Sequence, residues 1–196
     1  MDHPLIQYFS RFATLSPDEK TAILDSMVTK KFTKGQLIVK EGQYNKDSFF
    51  VLEGAVRQFK MVNGEEITTH FYQKGQWIIS LTSFAINATA EGSLECIEDV
   101  SIVVGNEQKG QALFKQFPRF ETISRAVMET VFLEQQQWMS SYLTETPEMR
   151  YLKLMETQPD IFQKLPQYHI ATYIGVKPES LSRIRKRVAE RNRPSY

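Results

Sequence analysis

The chain has 196 residues, of which 41% are hydrophobic and 12% aromatic, so it can bury a real core in one or two domains. Its 24 lysines and arginines nearly balance 23 aspartates and glutamates, and this total alone does not suggest a polyanionic partner. No apolar stretch approaches the length needed to span a bilayer, and the first residues lack the pattern of a signal peptide. We therefore expect a cytoplasmic protein without a membrane partner.

The cysteine and histidine content argues against a metal or redox site. A lone cysteine, Cys96, excludes an intrachain disulfide and an iron–sulfur cluster held by one subunit, so packing in a core is its expected role. The histidines, His3, His70 and His169, are far apart and carry no flanking ligand pattern, and we expect them to be structural or surface residues. No G-x-S-x-G elbow and no phosphate-binding P-loop occurs. The sequence thus predicts no metal, no cofactor, no catalytic residue and no enzymatic activity.

The chain is predicted to begin with helices over residues 4–31. Leu5, Ile6 and Phe9 share one apolar stripe, which is typical of a helix that packs on a core. A second helix is expected to start with Ser16 as its cap and Pro17 as its first residue.

Short strands are predicted from about residue 32 to residue 105. Glycines at positions 35, 42, 54, 64 and 75 separate runs rich in β-branched and aromatic residues. Strands at intervals of about 8 to 12 residues are typical of an antiparallel sandwich or barrel. Asn63 and Gly64 predict a tight hairpin, because both tolerate the positive φ of a type I′ turn. The runs are QLIVK, SFFVLEG, AVRQFKM, EITTHFY, WIISL, SLECIED and VSIVVG.

A long helix is predicted next, over residues 118–142, and it is apolar on more than one face. One face can cover the β domain, while another, with Ile123, Val127 and Val131, can meet a second copy in a parallel two-fold dimer. The alternative is a helix buried wholly in its own monomer, since three consecutive glutamines interrupt any strict heptad pattern. Thr146 and Pro147 then mark the start of a helical C-terminal domain, because proline biases the preceding residue away from helix.

Two short helical patterns lie on either side of Gly175 in that domain. The glycine permits a sharp turn, and the small Ala171 lets the second helix approach the first. Each helix has one apolar stripe to bury, which predicts a helix-turn-helix. The alternative is an ordinary surface hairpin of helices with a solvated basic face. The stripes are Ile170, Ala171 and Ile174 in the first helix and Leu181, Ile184 and Val188 in the second.

The outward face of the second helix carries side chains suited to DNA. Glu179 can accept a hydrogen bond from cytosine, Ser182 can bond a base or a phosphate, and Arg183 can place its fork on guanine. Positive charge is concentrated here, with seven basic and two acidic residues from position 177 to position 196. Such a patch is typical of phosphate contacts, although the basic residues beyond position 190 are equally compatible with a solvated terminus. The predicted phosphate contacts are Lys177, Arg185, Lys186 and Arg187.

The order of a β-roll, a long helix and a helix-turn-helix resembles the Crp/Fnr family of bacterial transcription regulators along nearly the whole chain. The segments KGQLIVKEG, FFVLEGAVR and KGQWI resemble the family's cyclic-nucleotide-binding-type roll. LPQYHIATYIGVKPESLSRIR, residues 165–185, resembles its DNA-binding signature and is the more specific match. Glu179, Ser182 and Arg183 fall where Fnr-like members keep the E-x-x-S-R residues that contact bases.

The resemblance implies an α+β protein in three parts. Residues 1–117 would form N-terminal helices and an antiparallel, jelly-roll-like β-roll, residues 118–145 a dimerisation helix, and residues 146–196 a helix-turn-helix domain lacking most of the usual β-hairpin wing. The implied function is a dimeric, sequence-specific regulator of transcription whose partners are double-stranded DNA, a second copy and RNA polymerase. Its roll would sense an unknown small-molecule effector or have lost its ligand. The alternative is a small-molecule-binding β-barrel protein with no DNA-reading role.

The expected effector pocket departs from that of the cyclic-AMP-binding members. Those members use a Gly-Glu-Leu turn for the ribose and a following Arg-Ser or Arg-Thr pair for the cyclic phosphate. Here Ser80 replaces the carboxylate and Glu91 lies near the place of the arginine, where it would repel a phosphate and remove a bidentate bond. We therefore do not expect cyclic AMP in the usual mode, and the cluster-binding cysteines of oxygen-sensing relatives are also absent. The pocket residues implied are Ile79, Ser80, Leu81, Thr82, Ser83, Thr89 and Glu91.

Overall fold

A computed structural model describes residues 3–80, 89–105 and 107–191, and within them the chain has the expected α+β architecture. The strands are β1 (Val28–Phe32), β2 (Leu37–Val39), β3 (Ser48–Glu53), β4 (Ala55–Val62), β5 (Glu65–Gln73), β6 (Trp77–Ile78), β7 (Ser93–Cys96) and β8 (Val100–Gly105). The helices are α1 (Pro4–Phe9), α2 (Pro17–Ser26), α3 (Glu107–Gln116), α4 (Arg119–Thr144), α5 (Pro147–Thr157), α6 (Ile161–Lys164), α7 (Gln167–Ile174) and α8 (Pro178–Arg191).

Helix α2 begins where the capping pattern predicted it and ends earlier than expected. Ser16 Oγ accepts from the Glu19 backbone N–H at 3.2 Å, the Glu19 carboxylate accepts from the Ser16 N–H at 2.8 Å, and Pro17 is the first helical residue. The prediction of helix to residue 31 is wrong, because Val28–Phe32 is strand β1 and pairs antiparallel with Val100–Val104 of β8. The β1 backbone therefore finds its hydrogen-bond partners about seventy positions away, and a local helical pattern carries no information about them.

The strands form two antiparallel four-stranded sheets, with orders β1-β8-β3-β6 and β2-β7-β4-β5. The predicted antiparallel roll is confirmed. Asn63 and Gly64 have φ values of 53° and 83°, as the predicted type I′ turn requires. Cys96 is buried in the roll, as expected, in a cluster of Val39, Phe49, Val51, Val56, Ile78, Leu94, Val100, Ile102 and Val104.

The described chain divides into two compact units. The first comprises the residues up to Gln58 together with Phe71–Gln135, and the second comprises Phe59–His70 and the residues from Gln136 onward. In the first unit a second apolar cluster joins the N-terminal helices to strands β3 and β8 and to the start of α4. Its buried members include Leu5, Ile6, Ile23, Phe50, Val103, Phe120, Ile123 and Val127.

The burial of α4 corrects the assignment of its dimer stripe. Ile123 and Val127 are each 4% exposed and Val131 is 7% exposed, so the monomer's own packing uses this face. The exposed apolar side chains of α4 include Phe132, Met139 and Leu143 instead. The sequence period shows that a helix has several apolar faces, but which of them the rest of the chain covers is decided by packing.

Candidate nucleic-acid interface and effector region

The turn between α7 and α8 depends on glycine at position 175. Gly175 has a φ of 76°, and its N–H donates to Thr172 O at 3.1 Å while the Val176 N–H donates to Ala171 O at 2.9 Å. A Cβ at this position would lie 2.6 Å from the Tyr142 hydroxyl oxygen. Both the left-handed backbone and the close approach of a ring therefore exclude a larger residue.

The α7–α8 pair packs as the sequence predicted. The apolar stripes of both helices are buried, so each helix covers the apolar face of its neighbour. Helix α8 begins at Pro178, where the missing N–H of proline leaves no helical hydrogen bond unmade. The buried residues are Ile170, Ala171 and Ile174 of α7 and Leu181, Ile184 and Val188 of α8.

Helix α5 supports this pair through Arg150, which the sequence analysis did not identify. Thr146 Oγ1 caps α5 by accepting from the Met149 N–H at 3.3 Å. The Arg150 guanidinium donates to Ile174 O, at the end of α7, with distances of 3.0 and 2.7 Å, and it lies 4.7 Å from the Tyr142 ring centroid. An arginine here satisfies carbonyls that the end of a helix leaves without partners. The contact joins residues 24 positions apart, so no local pattern could have revealed it.

The outward face of α8 is exposed, as its period predicts. Glu179, Ser182, Arg183 and Lys186 lie on this face, and Arg185, beside the buried stripe, is also exposed. Within the part of the chain that the structure describes, Arg183 and Arg185 form no hydrogen bond or ion pair. Lys186 lies 3.9 Å from the Glu190 carboxylate in an exposed i, i+4 pair, which holds it only weakly. Lys177, just before the helix, is also exposed.

The second half of α8 has a different environment. Arg187 Nε donates to Glu148 Oε2 at 3.1 Å, and Arg191 Nη2 binds the other oxygen of the same carboxylate. The hydrogen bond and charge of Arg191, followed by those of Arg187, lower the pKa of Glu148 below its usual range. Arg187 therefore joins α8 to α5, a role that its basic character alone did not reveal, and its phosphate contact stays a prediction.

The end of the β4–β5 hairpin contacts α7 within the second unit. The Thr68 N–H donates to Thr172 Oγ1 at 3.2 Å, and the two threonine hydroxyls are 3.1 Å apart. His169 Nδ1 lies 4.0 Å from the Glu66 carboxylate. His70 packs on Trp138 with ring centroids 4.5 Å apart, and burial lowers the pKa of His70 to about 4, so this imidazole is neutral at pH 7. No local pattern predicts that Thr68 and Thr172 meet, because 104 residues separate them.

The structure describes only part of the implied effector pocket. Ile79 is buried and Ser80 half-buried, whereas Thr89 and Glu91 are exposed. Thr89 forms an antiparallel bridge with Tyr44. The remaining three residues of the implied pocket lie outside the described residues; they are Leu81, Thr82 and Ser83.

A buried ion pair lies in the β-roll, and the sequence analysis missed it. Arg57 of β4 is 1% exposed, and its Nε and Nη2 donate to Glu95 Oε2 of β7 at 2.9 and 2.6 Å. A buried guanidinium needs such a partner, since an unpaired charge in a protein interior is strongly unfavourable. The alternation along each strand predicts only which face of a sheet a residue occupies, and it does not reveal that positions 57 and 95 meet.

Metal chemistry and thiol reactivity find no support among the described residues. In residues 3–80, 89–105 and 107–191, no three His, Cys, Asp or Glu side chains converge to hold a metal ion. Burial raises the pKa of the Cys96 thiol to about 11, with smaller contributions from Glu95 and Asp99, so the group stays protonated at neutral pH. No helix over the same ranges combines the length and apolar character needed to cross a membrane.

Comparison with known families identifies the β-roll. Residues 29–117 match the family model of the cyclic nucleotide-binding domain. A stretch of 99 residues is 32% identical to a cAMP-dependent protein kinase regulatory subunit from Colletotrichum orbiculare, covering 50% of this chain and 23% of that protein. The chain thus spans less than a quarter of that relative's length. The first half of the protein therefore carries a domain of cyclic nucleotide-binding type.

Solved structures share the fold over nearly the whole chain. The c-di-GMP responsive global regulator CLP of Xanthomonas campestris has a TM-score of 0.69 at 15% identity, covering 90% of this chain and 93% of its own. A protein from Eubacterium rectale proposed as a Crp/Fnr-family transcriptional regulator gives 0.66 at 17% identity, with 96% and 91% coverage. The Thermus thermophilus catabolite activator protein gives 0.56 at 20% identity, with 94% and 90% coverage. At such identities the likeness shows the architecture alone, which this chain shares with these three proteins.

Proposed function

We propose that this protein is a dimeric transcription regulator of Crp/Fnr type, which reads DNA with α8 and senses a small-molecule effector with its β-roll. One observation carries the proposal: α8 has one face buried on α7, while its opposite face exposes Arg183 without an intramolecular partner in the described chain. Arg185, at the edge of the buried stripe, is exposed and unpaired among the same residues. Insertion into a major groove requires a helix that is packed on one side and exposes unpaired guanidinium groups on the other. The likeness in fold to CLP and to the catabolite activator protein supports this interpretation.

The residues of α8 divide into two roles in this proposal. Arg183 would donate both arms of its fork to guanine O6 and N7, Glu179 would accept from a cytosine amino group, and Ser182 would bond a base or a phosphate. Lys177 and Arg185, with Lys186 and Arg187, would neutralise phosphates. Each phosphate contact releases counterions, so the affinity should fall steeply with salt concentration.

A second copy of the chain is part of the proposal, because two reading helices about 34 Å apart match successive turns of the same DNA face. Phe132, Met139 and Leu143 recur on α4 at i, i+7 and i+11, which places them on one side of the helix. Leu143 is 77% exposed, an unusual environment for leucine in a monomer. This stripe is the dimer surface we propose in place of the buried one.

Light scattering tests the dimer. The wild-type protein should have twice the monomer mass at micromolar concentration, and the double variant Phe132→Glu, Met139→Glu should have the monomer mass. Leu24→Glu, which adds the same charge at an exposed leucine of α2, should remain dimeric and serves as the control. A monomeric wild-type protein would remove the two-fold operator from the proposal.

The effector we propose is not cyclic AMP bound in the usual mode. Ser80 offers no carboxylate for a ribose, and Glu91 adds negative charge near the expected phosphate. The buried guanidinium of Arg57 is already bound by Glu95, so a phosphate inside the roll would compete with a carboxylate for it. Calorimetry with cyclic AMP at micromolar concentrations should show no binding. Saturable binding that cyclic GMP competes for would contradict this part of the proposal.

Selection from fragmented DNA of the source genome tests the DNA-reading function. Full-length protein should enrich a sequence of two-fold symmetry, and its affinity for the selected duplex should exceed that for a scrambled duplex by about 10³-fold or more. Titrations at two salt concentrations should show a linear fall of log affinity with log salt. If no sequence is enriched and no salt-sensitive binding occurs, the protein is better explained as a small-molecule-binding β-barrel with an unrelated helical domain.

A further inference from the structure

We propose that the groove between α5 and α8 is a docking site for an acidic amphipathic helix of a partner protein. The groove lies wholly within the second unit and has a volume of about 650 Å³. Residues of α5 line one side and residues of α8 line the other, so both walls are helical. Two packed helices with a groove between them form a surface that a third helix can occupy.

The apolar part of the groove lining favours a protein partner. Met149 and Leu152 of α5 line the groove and are 53% and 39% exposed, and Val176 and Ile184 line it as well. A DNA phosphate gains nothing from contact with such side chains, whereas an apolar side chain of a protein gains free energy by leaving water. Exposed methionine is also common where proteins bind partner helices, because its unbranched chain adapts to the incoming surface.

The α8 side of the groove is basic, which determines the charge of the partner. Arg183, Arg187 and Arg191 line the groove at i, i+4 and i+8, so they lie on one side of the helix. Among the described lining residues the only acid is Glu148, whose carboxylate binds both Arg187 and Arg191. Each guanidinium has five N–H donors, so two arginines that share one carboxylate keep donors for another. Acidic side chains of a partner would complement this excess of positive charge.

The length of the groove fits a short helix. Ser180 and Arg191 both line it, and about three turns of α8, or roughly 16 Å, separate them. A partner helix of about three turns spans the same distance and can place apolar anchors at i, i+4 and i+7 on the apolar lining. Acidic residues one turn apart on that helix match the spacing of the three arginines, because both helices have the same rise per turn.

Docking in this groove would compete with DNA binding. Arg183 lines the groove and is also the residue proposed to read guanine, so a partner helix that binds Arg183 withholds it from a base. A partner protein in the groove would therefore release this chain from DNA. This consequence rests on the proposed function, whereas the docking itself does not.

Fluorescence anisotropy with the full chain and a labelled synthetic peptide tests the docking. The peptide has about three to four helical turns, leucines at i, i+4 and i+7, glutamates on both sides of this stripe and alanine elsewhere. It should bind saturably at micromolar concentration. A scrambled peptide of the same composition should bind at least roughly tenfold more weakly, because its leucines no longer share one face. Absence of saturable binding, or equal binding of the scrambled peptide, would overturn the proposal.

Two matched variants of α5 locate the peptide in this groove. Leu152→Ser removes an apolar contact and should weaken peptide binding roughly tenfold. Met155→Ser is the control, because Met155 is also 39% exposed on α5 but does not line the groove, and it should bind the peptide as the wild type does. Both changes are on the surface, and circular dichroism should show that both variants fold. Equal binding by the two variants would place the peptide elsewhere and overturn the proposal.

Charge variants of α8 test the acidic contacts. Arg183→Gln should weaken peptide binding roughly tenfold, because a charge-assisted hydrogen bond is lost. Arg185→Gln removes the same charge from an exposed position outside the groove and should leave peptide binding unchanged. Equal losses in the two variants would show that the peptide responds only to the overall charge of the helix, and this result would overturn the docking site.

Two further measurements distinguish other occupants of the groove. If Leu152→Ser lowers the affinity for a DNA duplex as much as that for the peptide, the groove belongs to the DNA interface. If a chain ending at Arg191 binds the peptide at least roughly tenfold more tightly than the full chain, residues 192–196 are the occupant. Either result would overturn the proposal. The peptide titrations contain no DNA, so failure of the DNA-reading proposal would leave their outcome unchanged.

Discussion

The two halves of α8 carry the same kind of side chain and differ in what surrounds it. Arg183 and Arg185 of the first half are exposed and unpaired within the described residues, whereas Arg187 and Arg191 of the second half bind Glu148 of α5. Composition alone would count all four as one basic patch. The comparison teaches that a single carboxylate on a neighbouring helix gives a basic residue a structural role, which for Arg187 comes in addition to the proposed phosphate contact.

The largest effect on stability is expected from a change in the buried stripe of α8, because packing on α7 holds both halves of the helix in place. Leu181→Ala deletes a fully buried side chain between α7 and α8 and should lower the free energy of unfolding of this unit by about 2 to 5 kcal/mol. Urea denaturation followed by circular dichroism measures it. Arg185→Ala, an exposed and unpaired position on the same helix, should stay within about 0.5 kcal/mol of wild type. A loss no larger than that of Arg185→Ala would show that the buried stripe does not hold the helix pair together.

Arg183→Ala tests the first half of α8, whose arginines are unpaired within the described residues. The loss of a guanidinium fork on guanine should cost about 1 to 3 kcal/mol on the specific duplex and relax the preference at one base pair of each half-site. Binding titrations on specific and scrambled duplexes provide the measurement. Arg187→Ala, in the paired half, should leave the ratio of the two affinities unchanged. If Arg183→Ala weakens both duplexes equally, Arg183 contacts the DNA backbone and does not read a base.

Lys186→Ala should have a smaller and less selective effect. Its exposed pair with Glu190 is too weak to withdraw it from DNA, so it should act as a phosphate contact. We expect weaker binding to every sequence alike and a salt dependence flatter by about one unit of slope. Titration at several salt concentrations checks this, with Lys115→Ala as a control away from α8. An unchanged slope would remove Lys186 from the phosphate contacts.

The smallest effect on stability is expected at Glu148, which binds the second half of α8, and this effect should depend on pH. Arg191 and Arg187 lower the pKa of Glu148 in the folded state. The contacts of Glu148 with these two arginines therefore stabilise the folded protein at pH values above the ordinary carboxyl pKa. That stability is lost as the pH falls through the lowered pKa. Glu148→Gln should therefore unfold at a slightly lower temperature than wild type at pH 7, and the difference should vanish in strong acid. Glu156→Gln, an exposed change on the same helix, should show no such pH-dependent difference.

Local chemistry was enough to predict the features whose cause lies within a few residues. Ser16 and Pro17 start α2, Asn63 and Gly64 form the hairpin turn, and Gly175 turns the chain between α7 and α8. In each case the φ preference or a side-chain cap acts on the adjacent backbone. The periods of the two final helices likewise predicted both their buried stripes and the exposed face that carries Arg183.

Tertiary structure alone decided the features that depend on distant partners. The residues of β1 became a strand because β8 lies beside them, and Ile123 and Val127 entered the monomer's core because the N-terminal helices and the roll cover them. Glu148 paired with Arg187 across 39 positions in the same way. The amino-acid sequence by itself determined the order of elements and the basic face of α8, since propensity, turn chemistry and hydrophobic period are local. Which apolar face is covered, which charge is paired and where a cavity remains depend on packing between elements, and no local pattern contains that information.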